Sequence, residues 1–241
     1  MKQAKLYIHL ILIASLMSCT KTLIGDQGTI DEDIYLNYQT ISDLELPFDG
    51  EWYVVNGGKT HREGAHHFTN RGSGERYAID FLIVLDTILS NGEVRKKHFS
   101  GDWRRNENHY CFGKNLYAPA GGKIVKIVND VEDNVPGNSN RDQPGGNYIQ
   151  IDHLNGETSI LAHLKKGSVI VAEGDTVIKG QEIGKVGNSG ASDTPHLHYQ
   201  LQGTSGALEW LGLPAQFQNY YLDDILLERG ELVRGQEVRK N

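Results

Sequence analysis

Two histidines one residue apart stand in Thr194-Pro-His-Leu-His-Tyr-Gln-Leu201. In an extended chain alternate side chains share a face, so His196, His198 and Gln200 line one side while Leu197, Tyr199 and Leu201 bury the other. Imidazoles about 7 Å apart along a strand can serve one small site, one binding a metal while its neighbour contacts the water or substrate beside it. Ten histidines in 241 residues make a lone pair of this kind unremarkable, so its surroundings decide. Two further residues bear chemistry. Asp80 is the one carboxylate in the apolar run Tyr77-Ala-Ile-Asp-Phe-Leu-Ile-Val84, where a charge needs a partner. His163 closes the strand candidate Ser159-Ile-Leu-Ala-His163.

The elements that must position these residues read as β. Lys123–Val128 follows a Gly-Gly pair, and Ile183–Val186 follows a Gly-Gln turn. Strand runs at Tyr148–His153 and Ser159–His163 flank Asn155-Gly156, a strong two-residue turn signal. With that turn Leu154 faces Glu157 and His163 lies opposite Tyr148. His163 then shares a face with Gln150, Asp152 and Ser159, while His153 falls with Ile149, Ile151, Ile160 and Ala162. A bulge would invert this for residues beyond it. Residues 129–147, rich in Asn, Asp, Gly and Pro, read as a long surface loop. No helical period persists, so the expected class is mainly β: an antiparallel sheet core with few short helices.

Twenty-four basic against thirty-one acidic residues give a net charge of −7, so no global positive field draws the chain to nucleic acid. Residues 1–18 read as a secretion signal, with Lys2 and Lys5 before an apolar stretch from Leu6 to Met17. That stretch is shorter than the roughly 20 apolar residues a spanning helix needs. It ends in Leu16-Met-Ser-Cys19, which resembles a lipobox, so Cys19 is expected to carry a lipid anchoring the chain to a bacterial membrane. Residues 19–45 read as a tether, 46–205 as the body and 206–241 as a C-terminal extension.

The wider context of the histidine pair resembles the lysostaphin-type zinc metallopeptidases, which cleave peptide cross-links of bacterial peptidoglycan. The resemblance rests on Tyr117-Ala-Pro-Ala-Gly-Gly-Lys-Ile-Val125, Gly146-Asn-Tyr-Ile-Gln-Ile-Asp-His153, Leu161-Ala-His-Leu164, Gly187-Asn-Ser-Gly190 and Pro195-His-Leu-His198. It implies an antiparallel sheet with an open groove, and a zinc ion held by two histidines and one aspartate with a position left for water. Position by position, His198 and Asp80 resemble metal ligands, and His196 and His163 the two active-site histidines. The family's usual first histidine, four residues before the aspartate, is here Arg76. In a divergent branch that ligand sits on a detached loop, which points to His67, with His66 as the alternative. The implied activity is zinc-dependent endopeptidase action on peptidoglycan or a short peptide, outside the cytoplasm. The rival readings are a non-catalytic module that grips cell-wall peptides or regulates another hydrolase, and a zinc hydrolase of another extracytoplasmic polymer.

Other conspicuous residues have simpler accounts. His61, His98 and His109 sit among polar neighbours and are expected in solvent. His153 is expected to be a semi-buried structural histidine, and Cys111 a buried apolar residue. Asn147, Asn188 and Ser189 are expected to shape turns. Trp210, Tyr220 and Tyr221 are expected to pack the extension onto the body.

Overall fold

A computed structural model of the chain describes residues 36–59, 74–204 and 211–241. Its elements are β1 (Glu51–Asn56), β2 (Ile79–Leu82), β3 (Leu85–Ile88), β4 (Val94–Lys97) and β5 (Asn115–Tyr117). Next come β6 (Gly122–Val128), β7 (Asn147–Asp152), β8 (Glu157–Leu164), β9 (Thr176–Val177) and β10 (Glu182–Lys185). The last five are β11 (Leu197–Gly203), β12 (Gly212–Leu213), β13 (Gln216–Leu222), β14 (Ile225–Glu231) and β15 (Glu237–Lys240). Among the described residues helical structure is confined to short 3-10 turns such as Asn106–Asn108. The chain is mainly antiparallel β, as the turn-rich sequence implies.

One sheet of eleven strands runs β14-β13-β15-β1-β2-β11-β8-β7-β6-β9, with β12 on the edge of β11. Strand alternation gives it two faces. Phe81 of β2 and Tyr199 of β11 point into an aromatic core with Phe48, Trp52 and Phe217; the Tyr199 and Phe217 rings lie 5.2 Å apart. Asp80 and His198, one residue before each, therefore point to the opposite face. The strands of the C-terminal extension are integral to this sheet: β15 pairs with β1, and Tyr220 is buried. Tyr221 lies beneath the Arg239 guanidinium, 3.8 Å from its ring centre.

Tyr38–Asn241 form one compact unit. Residues 38–45, read from the sequence as the end of a tether, pack against it. The fully buried carboxylate of Glu157 accepts the Tyr38 hydroxyl at 2.8 Å and the Ile41 and Ser42 N–H groups at 2.7 Å each. Leu44 then bridges Phe217 in parallel.

The hairpin between β7 and β8 differs from the sequence expectation in a way that matters for the site. Its loop has three residues, 154–156, with Leu154 at φ 60° and Gly156 at φ 95°. The His153 N–H donates to Glu157 across it. Register therefore slips by one, pairing Ile149 with Leu161 and Ile151 with Ser159. Ser159 consequently faces the core, where its hydroxyl meets Tyr199 and His153, while Ile160 and Ala162 face the other way. Simple alternation would now bury His163 in the core. A bulge prevents it: β8 uses three steps from Leu161 to Leu164 where β7 uses two from Ile149 to Asn147. His163 is the extra residue, at φ 61°, and its ring returns to the side of Gln150.

Candidate active site

Asp80 and His198 are direct cross-strand partners on β2 and β11. Asp80 Oδ1 lies 3.0 Å from His198 Nδ1, and its Oδ2 accepts the Asn56 amide at 2.7 Å. On its other side His198 Nε2 meets Gln200 Oε1 at 2.8 Å. Both ring nitrogens thus face acceptor oxygens. An imidazole satisfies that arrangement in two ways: doubly protonated, or carrying its proton on Nε2 with a cation between Nδ1 and the carboxylate. Burial opposes charge on this ring. The Asp80 hydrogen bond and charge, helped by Gln200, outweigh burial and hold its pKa above the ordinary imidazole value.

His163 and His196 complete the cluster, with ring centres 4.8 Å apart, and His163 lies 5.6 Å from His198. Each is oriented through Nδ1, which donates to a backbone carbonyl: Ser189 for His163 and Thr194 for His196, both at 2.8 Å. Each therefore turns its Nε2 toward the cluster. His196 Nε2 stands 3.7 Å from Asp80 Oδ1. Burial pushes the His163 pKa well below the ordinary value, and the neighbouring His196 and His198 push it further. His163 is therefore a neutral acceptor at pH 7.

The bulge that aims His163 is fastened on every side. Its N–H donates to Gly145 O and its carbonyl accepts from Gly187 N–H. Behind it Asn147, fully buried, accepts Val131 N–H at 2.8 Å and donates its amide to Val131 O and Leu164 O at 2.8 and 3.0 Å. Ser189 Oγ accepts the Asn147 N–H and donates to Leu164 O. Asn147, Asn188 and Ser189, expected merely to shape turns, form this buried support; their burial depends on distant pairing and has no local sign. Gly190 (φ 79°) is required because a Cβ there would lie 2.3 Å from Gly146 N. Residues 129–147 are anchored to the same support, with Asn134 donating to Gly190 O and Ser192 O.

Two cavities meet at the histidines and share His163, His198 and Ala191. One, about 260 Å³, is lined by Asn56, Asp80, Asp193, Thr194 and His196. The other, about 320 Å³, is lined by Glu75, Tyr148, Gln150, Ile160 and Gln200. Together they form an open trough across the polar face of the sheet.

The structure brings together Asp80, His163, His196 and His198. Among the described residues no three His, Cys, Asp or Glu side chains close around an ion by themselves. The expected further donor, His67 or its alternative His66, lies outside the described residues, as do Cys19, His61 and Trp210. The donors that are described, an imidazole nitrogen beside a carboxylate oxygen, suit a zinc-like cation that takes the place of the ring proton between them. One expectation fails: His109 is buried at 2% exposure, its Nε2–H donating to Trp103 O at 2.7 Å. Its backbone bridges to Phe99, whose ring lies 5.6 Å from the imidazole. His98 is partly buried beside it, ring centres 5.3 Å apart. Cys111 is buried as expected, its thiol pKa pushed up to about 12 by burial.

Residues 109–209 match the model of Peptidase family M23; the matched stretch includes His163, His196 and His198 and leaves Asp80 upstream. The peptidoglycan DD-endopeptidase ShyA of Vibrio cholerae serotype O1 is 42% identical over 158 residues, covering 64% of this chain and 30% of that protein. ShyC, a peptidoglycan DD-endopeptidase of the same organism, is 35% identical over 156 residues, covering 56% of this chain and 33% of that protein. The chain thus spans about a third of the length of these curated relatives. A solved structure of the deep-sea M23 metalloprotease pseudoalterin is 22% identical, with a TM-score of 0.43, covering 76% of this chain and 82% of that one.

Proposed function

We propose that this chain, which carries an M23 peptidase domain, is a zinc-dependent endopeptidase that hydrolyses peptide cross-links of peptidoglycan outside the cytoplasm. The observation that carries the reading is the 3.0 Å approach of Asp80 Oδ1 to His198 Nδ1 in a trough that also holds two outward-facing imidazole nitrogens. The similarity to two peptidoglycan DD-endopeptidases supports the substrate class. Residues 1–18 as a secretion signal, with Cys19 lipidated and a tether behind it, complete the proposal and place the enzyme at a membrane surface.

Asp80 and His198, with His67 (or His66), would hold the ion. Bound zinc would supply a polarised scissile carbonyl and a water of lowered pKa. His163, neutral and locked by Ser189 O, accepts the proton of the attacking water at Nε2. As an imidazolium it then passes that proton to the departing amine. His196, locked by Thr194 O, holds its Nε2 beside Asp80, where a proton on that nitrogen would steady the oxygen that gains charge. The two cavities on either side of the histidines give the peptide room to extend in both directions from the bond being cut, as an endopeptidase requires.

The test is incubation of the purified protein with peptidoglycan, with and without a chelator, and mass spectrometry of the released ends. New amine and carboxyl ends that vanish with chelator and return with zinc are expected. Binding without new ends would overturn the enzyme reading in favour of a peptide-gripping module.

A further inference from the structure

We infer that Gln200 is a positioning residue for the metal ligand, selecting which nitrogen of His198 faces the ion; this rests on the zinc reading above. His198 differs from its two neighbours. His163 and His196 donate through Nδ1 and offer Nε2, whereas His198 meets an acceptor with Nε2 and offers Nδ1 to Asp80. The difference traces to one side chain. Gln200 follows His198 by two residues on β11, so both project from the same face. Its Oε1 lies 2.8 Å from His198 Nε2. Both side chains are buried at 7% exposure, so Gln200 Oε1 holds the Nε2 side of the ring in a fixed place.

The chemistry needs this acceptor. A neutral imidazole that binds a cation through Nδ1 must carry its remaining proton on Nε2, and a carbonyl or carboxylate acceptor there fixes that tautomer. Gln200 supplies the oxygen without adding a second negative charge beside Asp80. Without this hydrogen bond the ring is free to take its proton on Nδ1 and donate to Asp80, which blocks the metal-facing nitrogen. Gln200 also walls the second cavity, so its orientation is fixed from a surface that the substrate would touch.

The experiment compares wild type, Q200L and Q200E as purified full chains. Zinc affinity is measured by competition with a chromophoric chelator, and the His198 ring nitrogens are assigned by 1H–15N correlation in the metal-loaded protein. Q200L is expected to bind zinc about 10- to 100-fold more weakly and to lose the single pattern of metal on Nδ1 and proton on Nε2. Q200E, which keeps an acceptor oxygen, is expected to restore both. Should Q200L not fold, Q200M takes its place. Unchanged affinity and ring pattern in the apolar variant would overturn the inference, as would equal weakening in Q200E, the mark of mere packing. Wild type that binds no zinc would remove the site reading and this inference together. Wild type and Q200L binding alike would remove this inference alone.

Discussion

Asn147 does not touch the proposed reacting groups, yet the structure makes it costly to change. Its side chain carries three hydrogen bonds, two to Val131 and one to Leu164, in a residue with no exposed surface. Truncation in Asn147→Ala removes three bonds worth about 1 kcal/mol each and orphans the buried Val131 N–H at about 1–3 kcal/mol. Leu164 O keeps the Ser189 hydroxyl, so it adds little. The expected loss is about 4 kcal/mol, roughly 8–16 °C in Tm for a unit of this size. Asn147→Asp, nearly isosteric, is sharper. It turns the amide that donates to two carbonyls into an acceptor facing them, which raises the folded-state pKa of the new carboxyl above its unfolded value of about 3.9. Its stability penalty must therefore grow as pH rises through that value and shrink as pH falls below it. Urea unfolding at pH 7 and pH 4, with Asn147→Ala as reference, reads both effects. A loss below about 1 kcal/mol in Asn147→Ala, or an Asn147→Asp penalty independent of pH, would refute the account of this support.

Five other substitutions separate the site from its frame. His198→Ala and Asp80→Ala are expected to abolish zinc retention and hydrolysis together. His163→Ala should keep zinc but lose about 10²- to 10⁴-fold in turnover; metal analysis beside a cleavage assay decides, and normal hydrolysis by His163→Ala would remove its assigned role. Glu157→Gln should weaken the anchor of residues 38–45 by about 1.5–3 kcal/mol, since a charged acceptor of three donors is removed. Faster proteolytic nicking there is the readout, and unaltered resistance would argue against the anchor. Burial holds the His153 pKa below its ordinary value, so the unfolded chain takes up that proton first as pH falls below about 6.5. Wild type should lose stability relative to His153→Gln in that window, by at most about 1.4 kcal/mol per pH unit. Parallel curves for the two would contradict the burial argument.

What can be read from the sequence follows the range of the interactions involved. The shared face of His196, His198 and Gln200 depends only on strand alternation, and it stands in the structure as the local sequence implies. Asp80 is conspicuous as a lone charge in an apolar run, but spacing does not yield its partner. The partner lies across β2 and β11, 118 residues away. His163 faces the trough for a reason the hairpin sequence does not contain. The loop is one residue longer than Asn155-Gly156 suggests, which slips the register, and the bulge at His163 slips it back. That bulge is held by Gly145, Gly187 and Ser189, partners that meet it only after folding. Likewise Asn147 and His109, polar residues among polar neighbours, carry no local mark of burial.

The separation of 118 positions from Asp80 to His198 also sets an order in time. A polypeptide emerging amino end first presents the aspartate long before its imidazole partner has been synthesised. β11 must then be made and pair with β2 before the ion-binding pair can form. A nascent or truncated product ending short of β11 therefore lacks the paired donors altogether. Assembly of the reactive centre is thereby reserved for chains whose synthesis has passed this strand, a delay inherent in the connectivity.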